Sequence, residues 1–153
     1  MDGVAKAPNT PSNPRVGKRL KAAGEPVGIN FTGKTDRYPN TVLAHVLLRF
    51  ALEKGGWQVQ NQVSEILFRH YFTDGLYPNM TNLTLASKEA GFNAEEVQAY
   101  LSNEDHAHSV NKEALQFSRS GVSGVPFFVI NDEPVFSGAQ PVERFMQAFH
   151  TAR

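Results

Sequence analysis

The stretch Gly-Val-Ser-Gly-Val-Pro-Phe-Phe-Val-Ile at residues 121–130 constrains the fold of this chain more than any other segment. Its last four residues are all apolar, and alternate side chains of a strand point to opposite faces, so both faces of this strand would be apolar. The pattern predicts a central strand that is covered on both faces. The glycines and Pro126 ahead of it remove side chains and one backbone donor at the strand entrance, where proline is tolerated and cis peptide bonds often occur.

A tight turn and a return strand follow. Residues 131–134 (Asn-Asp-Glu-Pro) have the composition of a turn, and residues 135–137 predict a second, antiparallel strand. Pro141 then stands at the first turn of a helix whose apolar residues recur at helical spacing. The predicted inward residues of that helix are Val142, Phe145, Met146 and Phe149.

Helical periodicity dominates the earlier part of the chain. The strongest pattern starts at residues 40–41 and ends at residues 55–56, a Gly-Gly pair, and a second helix that should pack on it ends at residues 73–75. Residues 26–32 are predicted to be extended. The predicted starts of three shorter helices are Asn82, Asn93 with Glu96 as its capping partner, and residues 102–103.

Two ordered motifs give the chain a resemblance to a known family. They are Ser-Gly-Val-Pro-Phe-Phe-Val-Ile-Asn at residues 123–131 and Ser-Gly-Ala-Gln-Pro at residues 137–141. Further upstream, residues 40–41 (Asn-Thr), 44–45 (Ala-His) and 67–72 extend the likeness. The chain resembles the DsbA-like thioredoxin-fold oxidoreductases of the FrnE branch, relatives of 2-hydroxychromene-2-carboxylate isomerase.

The resemblance implies an α/β fold that is mostly helical, a truncated thioredoxin-like fold of the DsbA type. Residues 1–14 would form a disordered leader and residues 15–150 the domain, with a helical insertion at about 40–120. A cis-proline β-hairpin and a helix at about 121–150 would be the C-terminal half of the thioredoxin fold. In the family a strand, a Cys-x-x-Cys helix and another strand come first. None of these precedes Arg15, so we expect a fragment or a truncated paralogue.

The missing front portion leaves the predicted central strand without a neighbour. An uncovered strand edge exposes unpaired N–H and C=O groups, each of which costs about 1–3 kcal/mol when buried. A second copy of the chain, another polypeptide, or residues 27–31 folded back beside the strand would each supply the partner. The sequence leaves these arrangements open.

The chain contains no cysteine. Thiol-disulfide exchange requires a thiolate nucleophile, so we predict that the chain is redox-inactive alone and assign no catalytic residue, although the family it resembles consists of oxidoreductases. Two alternatives stay open. One is a non-catalytic module that binds a peptide or a partner chain. The other is a relative of the glutathione-dependent isomerases and transferases, which need a Ser or Cys nucleophile after the first strand.

The resemblance places the candidate binding residues in two loops. Ser123, Val125 and Pro126 precede the central strand, where the family's cis-proline loop offers backbone hydrogen bonds to a peptide or a small thiol. Gln140 and the amides beside it precede the last helix, whose positive end would attract an anionic group. The alternative is that these residues only shape a loop and cap a helix. No cofactor is predicted.

Charge and hydropathy exclude several classes of function. The 15 Lys and Arg residues balance 15 Asp and Glu residues, which argues against nucleic acid or a membrane surface as partner. No apolar run approaches the ~20 residues of a membrane helix, and the first residues lack an apolar signal core, so the expected location is the cytoplasm. No metal site is predicted, since His106 and His108 fall on different helix faces. His45 and His70 are expected to be hydrogen-bonded at the edge of the core.

Overall fold

The fold was analysed in a computed structural model that describes residues 17–35, 38–122 and 124–152. The predicted leader at residues 1–14 lies outside the described residues. The chain divides into two compact units, Met1–Val110 and Asn111–Arg153.

The first unit is helical. Its elements are α1 (Lys18–Gly24), a 3-10 turn (Glu25–Val27), α2 (Val42–Phe68), a π-helical turn (Arg69–Asp74), α3 (Met80–Glu89), α4 (Ala94–Ser102) and the first part of α5 (Glu104–Arg119). Among the described residues, no helix is long and apolar enough to cross a membrane.

A break at Gly56 divides α2 into two helical halves. Gly56 has φ 73° and ψ −171°, a conformation that is essentially restricted to glycine because it lacks a Cβ atom. The two halves pack on each other, and the side-chain amide of Gln60 donates to the carbonyl of Leu48 across the break (3.2 Å). The Gly-Gly pair therefore ends one helix and allows the chain to return, as the sequence predicts.

The core of the first unit lies where α2 meets α3 and α4. Phe50 is 1% exposed and contacts the rings of Phe92 and Tyr100 edge to face, with centroid distances of 5.1 and 5.0 Å. The other buried apolar residues of this cluster are Ala44, Val46, Leu47, Ala51, Val63, Leu83, Val97 and Leu101. Burial of the predicted apolar faces of both halves of α2 organises the unit, because apolar area removed from water is the main stabilising term.

Side-chain caps set where the shorter helices begin. Asn93 Oδ1 accepts from the amides of Glu95 and Glu96 (2.9 and 3.0 Å), so α4 begins as predicted. The predicted start of the third helix at Asn82 is wrong by two residues. Asn79 Oδ1 accepts from the amide of Asn82 (2.9 Å), so Asn79 is the cap and α3 begins at Met80.

Residues 29–32 lie against the π-helical turn that follows α2. The amide of Thr32 donates to the carbonyl of Phe72 (3.1 Å), its hydroxyl donates to the carbonyl of Thr73 (2.7 Å), and Phe31 meets Phe72 edge to face. The segment is therefore held by the π-helical turn, and the sheet of the described residues has two strands. The prediction that residues 26–32 are wholly extended is also wrong, since the 3-10 turn includes Pro26.

The second unit contains the end of α5, strands β1 (Phe127–Ile130) and β2 (Glu133–Ser137), and helix α6 (Val142–Thr151). The strands are antiparallel, with Phe127 opposite Ser137 and a register shift between Phe128 and Val129. Asn131 and Asp132 have φ values of 51° and 64°, the left-handed geometry that suits a two-residue hairpin turn. The predicted hairpin and final helix are present, but the turn is shorter than predicted, since β2 begins at Glu133. The prediction that Val142, Met146 and Phe149 of α6 face inward is wrong, because all three are exposed and only Phe145 of the predicted set is half-buried.

The prediction that β1 is covered on both faces is wrong. Val129 is 54% exposed, its three neighbours in the strand are half-buried, and no described residue of the second unit is buried. Within this unit α6 is the element that packs on the hairpin, where Phe145 contacts the rings of Phe128 and Phe136. Within this unit one helix shields one face, and on the other face Val129 is exposed and Phe127 is half-buried.

Candidate functional site

The loop before β1 and the loop before α6 meet at the end of the hairpin. The amide of Gly138 donates to the carbonyl of Pro126 at 2.8 Å, and the Ser137 hydroxyl donates to the carbonyl of Gly124 at 3.5 Å. Hairpin pairing brings together the two sequence motifs, whose contacting residues are 12 and 13 positions apart in the chain. Val125, Pro126 and Gln140 therefore share one region, whereas Ser123 lies outside the described residues.

Val125 is highly exposed in this region. It is 86% exposed, and the Val125–Pro126 peptide bond is cis. Within the described part of the chain, neither the amide nor the carbonyl of Val125 has a hydrogen-bond partner. A donor and an acceptor on an exposed backbone are thus available to an incoming chain directly ahead of β1.

Gln140 braces its own loop. Its side-chain amide donates to the carbonyl of Ser137 at 3.1 Å, which occupies one of the two N–H donors of that amide. Helix α6 has Pro141 at its N-cap, without a side-chain cap, and the acidic Glu143 in its first turn. A carboxylate at this helix end would be repelled by Glu143, so the interpretation that Gln140 shapes the loop fits the geometry better than an anion site, whereas the predicted helix cap is not formed.

β1 begins directly after the exposed loop at Val125 and Pro126, and one of its two edges is unpaired among the described residues. Among the described residues β1 pairs with β2 alone, so the second edge of β1 has no strand beside it. Phe127 and Val129 share the face opposite the ring cluster of Phe128, Phe136 and Phe145, because alternate residues of a strand point to opposite faces. The site is therefore an exposed backbone donor and acceptor followed by an unpaired, apolar strand edge.

His45 and His70 are hydrogen-bonded, as predicted, although His45 is exposed and His70 is buried. His45 Nδ1 is 2.7 Å from the carbonyl of Thr41, and His70 is 5% exposed with Nε2 3.1 Å from Glu89 Oε2. His106 stacks on Tyr100 with ring centroids 3.7 Å apart. In residues 17–35, 38–122 and 124–152, no group of three or more His and acidic side chains is arranged to hold a metal.

Sequence reasoning missed the cluster of Arg69, His70 and Glu89. The guanidinium of Arg69 forms an ion pair and hydrogen bond with Glu89 Oε1, while His70 contacts the other carboxylate oxygen. The hydrogen bond from Arg69 is the main reason that the pKa of Glu89 lies below its ordinary value, and the same bond raises the pKa of Arg69. Nothing in the spacing of 19 residues between His70 and Glu89 signals this contact, which depends on how α3 packs.

A helical segment followed by a β-hairpin and a C-terminal helix, with proline at the hairpin entrance, is the arrangement expected for a DsbA-type thioredoxin-like protein. The model of the DSBA-like thioredoxin domain family matches residues 2–150. The chain therefore belongs to this family, and the mostly helical DsbA-type fold predicted from the sequence is confirmed.

Similarity to a solved structure also supports the DsbA-type fold. A probable DsbA oxidoreductase from Streptomyces coelicolor is 31% identical to this chain, with a TM-score of 0.76. The match covers 88% of this chain and 57% of that one, so this chain spans little more than half the length of the bacterial protein. Comparison with curated proteins gave no match.

Proposed function

We propose that this chain, as it stands, is a redox-inactive member of the DsbA-like family that binds an extended peptide segment. The segment adds as a strand to the open edge of β1 and bonds to the backbone at Val125. The observation that carries this proposal is the 86% exposure of Val125, with its backbone amide and carbonyl unpaired among the described residues, directly ahead of the edge. On the motifs at residues 123–131 and 137–141, we place the chain in the FrnE branch.

The redox part of the proposal depends on composition. The sequence has no cysteine, and no other side chain replaces a thiolate in disulfide exchange. An insulin-reduction assay with the purified chain should therefore give the rate of the buffer blank at every concentration of dithiothreitol. Turnover above that blank would contradict the redox part without affecting the peptide-binding part.

The binding part follows from the physics of strand addition. In this mode main-chain hydrogen bonds supply affinity, and side chains on alternate positions supply specificity. The apolar face at Phe127 and Val129 favours a segment with apolar residues at every second position. This support is stronger than that for glutathione or another anionic thiol, because Gln140 is engaged with Ser137 and Glu143 is unfavourable for a carboxylate.

The test uses a labelled peptide of about seven residues in which valine alternates with threonine between terminal lysines. Fluorescence anisotropy should show saturable binding to the wild-type chain. Val129→Lys should weaken binding about fivefold, because the peptide strand would cover a charged side chain. Met146→Lys is the matched control, since Met146 has a similar exposure (53% against 54%) and lies on α6.

A second candidate is pairing between two copies of the chain. Every copy carries the same open edge, and two such edges can pair around a two-fold axis. Size-exclusion chromatography with light scattering distinguishes the candidates. A dimer that Val129→Lys converts to monomer supports self-pairing, and a monomer that binds the peptide supports strand capture. A monomer that ignores the peptide contradicts both.

A further inference from the structure

A pocket of about 240 Å³ lies in the first unit, and its lining comes from both halves of α2, the π-helical turn and α3. Leu83 in this lining is fully buried, whereas Phe68 in the same lining is 57% exposed. The pocket therefore reaches from the surface to the core of the unit. The break at Gly56 allows the pocket to form, because it folds the two halves of α2 onto each other.

Contacts outside the pocket hold part of its wall in place. Phe31, which is not part of the lining, meets the ring of Phe72 edge to face with centroids 5.4 Å apart, and the amide of Thr32 donates to the carbonyl of Phe72 (3.1 Å). On the α3 side, the side-chain amide of Asn82 donates to the carbonyl of Tyr77 (2.7 Å). Because these contacts exist before a ligand enters, binding requires little ordering of the wall.

The lining that the described residues supply carries no side chain with a permanent charge. Most of its residues are apolar, and none is Lys, Arg, Asp or Glu. Two histidines belong to it, and each has one ring nitrogen at hydrogen-bonding distance from an oxygen of this chain: His45 from the carbonyl of Thr41, and His70 from Glu89. A charged ligand would lose its hydration here and meet no side chain of permanent opposite charge, so the lining favours an uncharged ligand.

We infer that this pocket binds an uncharged, apolar molecule of about the size of one substituted ring. A cavity of about 150 Å³ accommodates benzene and drug-sized ligands occupy about 300–1,000 Å³, so this volume suits a molecule slightly larger than benzene. The apolar surface of such a molecule leaves water and meets leucine and phenylalanine side chains, which supplies the free energy of binding. No particular hydrogen bond is required, because the ligand has no polar group to satisfy.

Toluene, benzoate and benzylamine are the probes that test this site, because they share one ring and are respectively neutral, anionic and cationic at neutral pH. Titration of the isotopically labelled chain, followed by amide NMR, should give saturable shifts with toluene. Benzoate and benzylamine should bind at least about tenfold more weakly, because burial of an unpaired charge is costly. Nuclear Overhauser contacts from toluene to the methyl groups of Leu48 and Leu83 should place the ligand in the pocket.

Two neighbouring substitutions locate the binding independently. Ser64→Phe adds a ring at a half-buried lining position and should reduce the toluene affinity at least about fivefold, because the new side chain takes up space in the pocket. Glu65→Phe is the matched control, since it adds the same ring at the next residue, which is exposed and outside the lining. It should change the toluene affinity by less than about twofold. Circular dichroism checks that each variant is folded.

Several results would overturn the inference. Benzoate or benzylamine that binds as tightly as toluene would contradict the uncharged class of ligand, and absence of saturable toluene binding would remove the site altogether. Equal loss of toluene affinity in both variants, or Overhauser contacts only with residues outside the lining, would place the ligand elsewhere. If Ser64→Phe does not fold, the Overhauser contacts of the wild-type chain decide. The pocket and β1 lie in different units and take different probes, so failure of peptide binding at β1 does not bear on this result.

Discussion

Phe128 of β1 and Phe145 of α6 meet edge to face, with ring centroids 4.8 Å apart and ring planes at 87°. Phe136 of β2 completes the cluster, with its centroid 4.9 Å from that of Phe145 and 5.0 Å from that of Phe128. Three rings from three elements thus join the hairpin to the helix. The proposed strand edge depends on this cluster, because an isolated two-stranded hairpin is marginal in water.

Phe145→Ala should loosen the hairpin. Each edge-to-face pair is worth about 0.5–1.5 kcal/mol beyond the area it buries, so loss of two pairs plus apolar contact should cost about 2–3 kcal/mol. Hydrogen exchange of the amides in residues 127–137, measured by mass spectrometry, should accelerate accordingly. Phe149→Ala removes the same ring from an exposed position of the same helix and should change protection by less than about 0.5 kcal/mol. Equal effects from the two variants would count against the cluster.

Gly56→Ala should destabilise the first unit by about 1–3 kcal/mol. The φ of 73° and ψ of −171° at this position are strained for any residue with a Cβ atom, and the break is needed to fold the two halves of α2 together. Urea unfolding followed by circular dichroism measures the loss. Gln62→Ala, on an exposed face of the second half, is the matched control and should be neutral or slightly stabilising, since alanine favours helix.

The contact of Arg69 with Glu89 should make the free energy of unfolding decrease as the pH falls in the acid range. The pKa of Glu89 is lower in the folded chain than its ordinary value of 4.5, mainly because of the hydrogen bond from Arg69. This contribution is therefore complete above pH 4.5 and is lost as the pH falls through the lower folded pKa. Urea midpoints between pH 6 and pH 2.5 should fall more steeply for the wild type than for Arg69→Gln. Parallel slopes would show that the ion pair contributes nothing to acid stability.

Tyr100 should ionise late in an alkaline titration. Burial, followed by the hydrogen bond that its hydroxyl donates to Glu53 (2.9 Å), raises the pKa of Tyr100 to about 12. The folded state holds this proton more tightly, so the stability contribution is complete below pH 10 and is lost as the pH rises through about 12. The difference in absorbance at 295 nm between the wild type and Tyr100→Phe isolates its transition. Glu53→Gln should move that transition toward pH 10, by less than the whole shift because burial remains.

Several elements were predictable because their causes are local. The Gly55-Gly56 pair ends a helix, the Asn93 side chain caps one, and Asn131 and Asp132 turn the hairpin, each through interactions that reach only a few residues along the chain. The start of α3 was misplaced because both Asn79 and Asn82 are good caps. The structure shows Asn79 accepting from the amide of Asn82, which settles the choice.

The candidate site was partly predictable for the same reason. The motifs named Val125, Pro126 and Gln140, and hairpin pairing brings them together through Gly138. The exposure of Val129 was not predictable from an apolar run, since periodicity indicates which residues would be buried and not whether a covering element exists. The contact between His70 and Glu89 was likewise invisible, because it joins α3 to the turn after α2.

By itself the sequence determined the types of the main elements, the family motifs and the absence of a thiol nucleophile. Each of these depends on residue identity and on neighbours within a turn or two. Only the tertiary structure decided which apolar faces meet a partner and, among the described residues, which edge of β1 has no strand beside it. It also decided that the buried ring of His70 contacts the carboxylate of Glu89. These depend on contacts between residues far apart in the chain, whose free energy comes from burial and geometry that no local pattern encodes.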